Sequence, residues 1–259
     1  MYISHKYKFI YFGPTKVASN CVALICMDIF EAEKIKPPEV FDGYCWDHHS
    51  IFLPKEYKHY FIFSSVRNPF IRELSKYNYL VNELKKSEEE KIKLSWLLDN
   101  NKIIDFEKYI SWVTNGEFEG VWHKRDAWKY SQYHQIFKNP VPSNCVPIER
   151  LNFYLKCENL ENDLISLPFV RKEHFHNIKK YCNRKYNFCE NKTAFYFPDS
   201  CVKKYVETFE EDFINFNYSK EVPDEIREGN TTQQILTKNI SEYNFGGRRI
   251  TYINNKKLL

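Results

Sequence analysis

Glycine is scarce in this chain, seven residues among 259, while 19 Tyr, 21 Phe and 5 Trp make aromatics abundant. That balance excludes a low-complexity or disordered chain and points to a packed globular protein. No apolar run approaches a membrane span, and Asp28 interrupts the longest one. The first strand pattern begins about eight residues from Met1, which leaves no room for a signal peptide or anchor; a soluble, cytoplasmic protein is expected. None of the eight cysteines belongs to a C-x-x-C pair, so most are expected to be reduced core or surface thiols. Cys182 and Cys189 would close a small loop only in an oxidising compartment. His174, His176, Cys182 and Cys189 have the spacing of no common zinc site, and no metal is expected. A basic tract with interleaved aromatics is also lacking. The net charge is only +4 and scattered, which suits an anionic ligand and argues against a nucleic-acid groove. The heaviest charge run, Lys85 to Lys93, alternates in sign and reads as a solvated helix face.

A chain of this length is expected to hold one α/β domain with a full core. The stretch from Lys8 to Phe30 organises it. Phe9 and Tyr11 alternate with Ile10 and Phe12 as in a buried strand, and the turn Gly13-Pro14-Thr15-Lys16 follows. Small residues come next (Ala18, Ser19, Asn20, Cys21), and Val22, Leu24, Ile25, Ile29 and Phe30 then repeat at helical spacing up to Pro37-Pro38. Strand, tight turn and helix form a cradle for an anion, because the first N–H groups and the positive dipole end point into the turn. Lys16 adds a mobile charge. The Walker sequence is excluded, since no Gly-Lys-Ser/Thr occurs.

The same order recurs at Tyr60–Val66, a continuous apolar run suited to a central parallel strand. It ends in Arg67-Asn68-Pro69, and Pro69 fits the first turn of a helix. That helix would turn Phe70, Leu74, Tyr77, Leu80 and Val81 inward, with Arg72, Ser75 and Lys76 elsewhere on its surface. Further helices are expected over 83–98, 105–115 (Asp105 as N-cap, Gly116 past the end) and 198–216, with a third strand at 145–148. A small hairpin is expected around 244–249. The expected architecture is a P-loop-like three-layer α/β fold, a central mostly parallel sheet flanked by helices. Residues 1–218 would form the domain and 219–259 an appendage or tail.

Lys16-Val17-Ala18-Ser19-Asn20-Cys21 resembles the 5′-phosphosulfate loop of sulfotransferases that use 3′-phosphoadenosine 5′-phosphosulfate (PAPS), commonly P-K-x-G-(G/S)-(S/T)-(S/T). Val66-Arg67-Asn68-Pro69 through Arg72, Ser75 and Tyr77 resembles the family's 3′-phosphate motif, V-R-(D/N)-P-x-x-R-x-x-S-x-(Y/F). Ile148-Glu149-Arg150-Leu151 is similar to its third-strand E-x-L segment, and 209–218 to its closing helix. The resemblance runs in order from about residue 8 to 218 and is best to the carbohydrate-type, membrane-associated branch, which includes the heparan and dermatan 2-O enzymes.

The resemblance implies a sulfotransferase carrying a sulfuryl group from PAPS to a hydroxyl, on a carbohydrate, with adenosine 3′,5′-bisphosphate as product. Lys16 and the backbone of Val17, Ala18, Ser19, Asn20 and Cys21 would hold the 5′-phosphosulfate, and Arg67 and Ser75 the 3′-phosphate. His48-His49-Ser50 resembles the stretch carrying the catalytic base. His49 aligns best and His48 stands beside it; imidazole suits proton removal from a sugar hydroxyl near neutral pH. His123, Lys124 and Arg125 would meet the acceptor, a glycan or other hydroxyl compound. Asn20 and Cys21 replace hydroxyl residues of the family loop, so hydroxyl donors are fewer. Two other classes therefore stay open: a catalytically silent nucleotide- or glycan-binding protein on the same fold, and a P-loop kinase-like phosphotransferase. The family would place the enzyme in a Golgi-type lumen; the sequence itself gives the cytoplasm.

Overall fold

The computed structural model describes residues 1–35, 53–116, 131–138, 145–186, 194–227, 239–245 and 248–254. In chain order the first elements are β1 (Tyr2–Ser4), β2 (Phe9–Phe12), α1 (Ser19–Asp28), β3 (Glu33–Lys34), β4 (Leu53–Pro54) and β5 (Phe61–Val66). Then follow α2 (Pro69–Leu84), α3 (Glu88–Lys93), β6 (Leu98–Asp99), β7 (Lys102–Ile103), α4 (Phe106–Asn115) and α5 (Gln132–Phe137). The remainder is β8 (Cys145–Val146), β9 (Phe153–Lys156), α6 (Leu160–Ile165), α7 (Phe175–Cys182), β10 (Arg184–Tyr186), α8 (Asp199–Thr208), α9 (Glu210–Asn215), β11 (Asn239–Phe245) and β12 (Arg248–Asn254).

The central sheet has the order β3-β1-β2-β5-β9. β2 pairs with β5 and β5 with β9 in parallel, while β1 is antiparallel to both β2 and β3. Four of the five strands therefore run one way. The alternation in β2 sends Phe9 and Tyr11 to one face, where they pack with Phe63, Leu155 and the α1 residues Val22 and Ile25. Ile10 and Phe12 go to the other, against Ile62, Val66 and Ile136 of α5. Both faces are covered, which is why the strands read as continuous apolar runs. A third cluster joins α2 to α4, α8 and α9 through Phe70, Tyr77, Tyr109, Tyr205 and Phe213.

Local signals place most boundaries. Asn68 caps α2 by accepting from the N–H groups of Phe70 and Ile71, with Pro69 at the first position. Asp105 caps α4, and Gly116 ends it in the left-handed conformation. Ser87 starts α3 anew after α2 stops at Leu84, and residues 85–89 are exposed as the alternating charges require.

Five expectations need correction. The expected helix over 83–98 is instead the end of α2 at Leu84, the separate short helix α3 (Glu88–Lys93), a 3-10 turn at Ser95–Leu97 and the start of β6. The third parallel strand is β9, not 145–148; Cys145–Val146 instead pairs with Leu53–Pro54 in a separate two-stranded ladder. β9 is followed by Glu158-Asn159-Leu160, a second Glu-x-Leu. α1 ends at Asp28, well short of Pro37-Pro38, because Glu31 takes a left-handed turn into β3. The expected helix 198–216 is two helices, broken at Phe209, where ψ has moved to 25°. Arg72 and Lys76, expected on the helix surface, are each 1% exposed. The expected hairpin is present: β11 and β12 pair antiparallel from Asn239↔Asn254 to Phe245↔Arg248, and β12 also pairs with β10. Among the described residues no helix is long and apolar enough to cross a membrane.

Candidate anion-binding site

Because β2 and β5 are parallel neighbours, with Phe12 opposite Ser64, the turn after one and Arg67 after the other emerge at the same sheet edge. This is where open α/β sheets bind ligands. A Cβ on Gly13 would lie 2.5 Å from the Tyr11 hydroxyl and 2.6 Å from Ser19 Cβ, so only glycine lets α1 start this close to its strand. Lys16 (φ 65°) and Ala18 (φ 57°) are left-handed, a conformation that costs an L-residue about 1–2 kcal/mol. Such strain persists where the surroundings over-determine the backbone. They do so through Thr15, which is buried. Its N–H donates to Gln135 Oε1 at 3.1 Å. Its carbonyl and hydroxyl accept from Arg72 Nε and Nη2 at 2.9 and 3.1 Å.

α1 begins after Ala18 with no side-chain cap and no acid in its first turn. Val22 N–H, bonded to the Ala18 carbonyl at 3.2 Å, is the first to be satisfied along the helix. The N–H groups of 19–21 have no acceptor within it, and the dipole adds a partial positive charge there. The Cys21 thiol points away, donating to the Tyr181 carbonyl of α7 at 3.7 Å. Its contact with Cys182 and its burial push that thiol well above the ordinary cysteine value. Val17 is likewise core. Both contribute only backbone to the turn.

The Lys16 ammonium sits 3.4 Å from the centroid of the Tyr79 ring. Positions 72, 75, 76 and 79 share one face of α2. Arg72 touches Thr15 and Tyr79 touches Lys16, so half-buried Ser75, between them, faces the same turn. Arg67 is half-buried, and its Nη1 reaches the Lys16 carbonyl at 3.5 Å. Its backbone is held from the side: N–H donates to Gln132 Oε1 at 2.7 Å, and the carbonyl accepts from Gln132 Nε2 at 2.8 Å. Asn68 N–H donates to Glu158 Oε1 at 2.7 Å. Cys157, close enough to feel the Arg67 charge, is nonetheless pushed up to about 12 by burial. Its thiol stays protonated at neutral pH and is a poor nucleophile.

Behind these residues lies a buried polar layer. Asp212 accepts from Gln132 N at 2.9 Å, Tyr133 N at 2.7 Å and Gln132 Nε2 at 3.3 Å, and its Oδ2 lies 4.0 Å from Arg72 Nη1. Burial raises its carboxyl above the ordinary value, opposed by Arg72 and these N–H donors. Glu73 accepts from Lys76 Nζ at 2.9 Å and from the Tyr109 hydroxyl at 2.7 Å. Burial brings the Lys76 amine down to about 8, against the pull of Glu73.

Of the residues singled out in sequence, the structure brings Lys16, the backbone of 17–21, Arg67 and Ser75 to one edge. His48, His49, His123, Lys124 and Arg125 lie outside the described residues. Sequence reasoning gave no site role to Tyr79, Glu158 and the α5 pair Gln132 and Gln135, nor to Arg72 and Asp212, which it met only within the resembling segments. Only α5 had a usable local signal, Ser131 as N-cap ahead of Tyr133, Ile136 and Phe137 at helical spacing. The donor set, two cations and a row of helix-start N–H groups, fits phosphate and sulfate oxygens. No group of three or more metal-ligating side chains occurs among the described residues. In comparisons with known proteins, no family model, no curated protein and no solved structure matches the chain.

Proposed function

We propose that this chain is a sulfotransferase that binds PAPS and transfers its sulfuryl group to a hydroxyl, on a carbohydrate. The observation that carries the reading is the pairing of the Lys16 turn with Arg67 at the ends of adjacent parallel strands. A P-loop-like use of strand, turn and helix is part of the same reading. The donor, when bound, supplies the sulfuryl group and leaves as adenosine 3′,5′-bisphosphate. Arg67 and Ser75 bind its 3′-phosphate. Lys16 leaves the Tyr79 ring to meet charge building on the leaving oxygen, and the N–H groups of 17–21 orient the equatorial oxygens. His49 removes the acceptor proton. A second reading, a silent nucleotide- or glycan-binding protein, is favoured by Cys21, whose thiol is turned into the core where the family carries a hydroxyl.

The test is calorimetric titration with adenosine 3′,5′-bisphosphate, and ADP as control, in buffer without Mg²⁺. Preference for the bisphosphate, lost in Arg67→Ala, supports the nucleotide site. Lys16→Ala then separates the two readings: turnover on an acceptor panel falls by orders of magnitude while bisphosphate binding persists. Equal binding of ADP, or no binding, refutes the reading. Tight binding with no turnover on any acceptor favours the silent protein.

A further inference from the structure

The two halves of the site belong to different strand–helix units, and the direct contact between Lys16 and Arg67 is slight. Arg67 Nη1 to the Lys16 carbonyl, at 3.5 Å, is at the outer limit of a hydrogen bond. α2 links the two on one side, where Arg72 bonds Thr15, and α5 links them on the other. Gln132 pairs with the backbone of Arg67 at both its N–H and its carbonyl, as a neighbouring strand would, at 2.7 and 2.8 Å. One turn on, Gln135 accepts from Thr15 N–H at 3.1 Å, next to Lys16. Gln132 is 0% and Gln135 1% exposed, so water does not compete for these bonds. Asp212 fixes α5 in turn, taking the N–H groups of Gln132 and Tyr133, and its other neighbour is Arg72, which holds Thr15 from the opposite side.

We infer that Gln132 and Gln135 are positioning residues that set the separation between the Lys16 turn and Arg67, acting through α5 as one rigid bracket. A ligand carrying two anionic groups gains from both cationic segments only if their spacing is set before it arrives. An amide suits the Gln132 position, since its separate acceptor and donor atoms match the N–H and the carbonyl of one residue. The ligand in this inference rests on the sulfotransferase reading; the bracket itself does not.

Gln132→Met and Gln135→Met keep side-chain length and remove the bonds. Each should bind adenosine 3′,5′-bisphosphate about tenfold more weakly than wild type, the equivalent of about 1.4 kcal/mol. Asn78→Leu is the control. Asn78 clamps Ala194 by a similar two-way amide bond away from the site, and this variant should lose stability with affinity unchanged. Hydrogen exchange at the Thr15 and Arg67 amides gives a readout that needs no ligand. In either methionine variant both amides should exchange faster, because the bracket is shared. The inference is overturned if each variant loosens only the amide it touches, or if wild type binds the bisphosphate and the variants bind it equally well. If wild type does not bind, the sulfotransferase reading fails by itself and the exchange pattern decides the bracket.

Discussion

Arg72 is the side chain whose removal reports most about how the site is held. Its guanidinium makes two hydrogen bonds to Thr15 and stands 4.0 Å from Asp212, with both charges 1% exposed. Hydrogen bonds to a charged group are worth about 1.5–3 kcal/mol each, and unpairing one member of a buried charge pair costs about 3–5 kcal/mol. These terms overlap, because Asp212 keeps three N–H donors when Arg72 is gone. Lys76 is also relieved, since Arg72 is one of the charges holding its amine down. We therefore expect Arg72→Met to lose about 3–5 kcal/mol near neutral pH.

The loss should depend on pH. The folded Asp212 carboxyl already lies above its unfolded value, so the folded chain binds that proton more readily, and the group's penalty to stability is full above the folded value and gone below the unfolded one. Removing Arg72 raises the folded value further and adds about 1.4 kcal/mol of penalty per unit at neutral pH. That part is recovered as pH falls through the raised value, while the lost bonds to Thr15 are not. Urea unfolding at several pH values from about 8 down to the ordinary carboxylate range, about 4, reads both parts. Arg72→Lys keeps the charge but not the fork, so it should show the pH-independent loss alone. A loss below about 1 kcal/mol in Arg72→Met, or one that is flat across that pH range, would refute the account.

Gly13→Ala should destabilise by about 1–3 kcal/mol by overpacking. The double variant Tyr11→Phe/Gly13→Ala should recover only part of it, because Ser19 Cβ still lies 2.6 Å from the new methyl position; full recovery in denaturant unfolding would contradict this. For Lys76 the folded value of about 8 is below the ordinary 10.5, so the unfolded chain holds the proton more tightly between them. Stability relative to Lys76→Met should thus be flat below about pH 8 and rise by up to about 1.4 kcal/mol per pH unit above it. A difference that stays constant through that window would mean the amine keeps its ordinary value.

The two strand–turn–helix units were legible because their determinants are local. Alternation in 9–12, the Gly13-Pro14 turn, Asn68-Pro69 at a helix start, and Asp105 and Gly116 at either end of α4 each act within a few residues. Lys16, Arg67 and Ser75 could be singled out for the same reason: each stands at a fixed offset from a strand end. Tertiary structure decided what no local pattern encodes. Arg72 and Lys76 read as solvated helix residues, because a charged side chain is expected outside unless its partner is known. Their partners are Asp212, far along the chain, and Glu73, a neighbour on the same helix that is itself buried by Tyr109 and Tyr205. β9 was displaced to 145–148 for a related reason: two apolar segments each precede a Glu-x-Leu, and only pairing with β5 chooses between them. The sequence by itself determined where α2 begins, where α4 begins and ends, and which cations follow the two strands. The separation of those cations is set by Gln132, Gln135 and Asp212, whose bonds span 65 to 120 positions, and bonds of that reach exist only once the chain has folded.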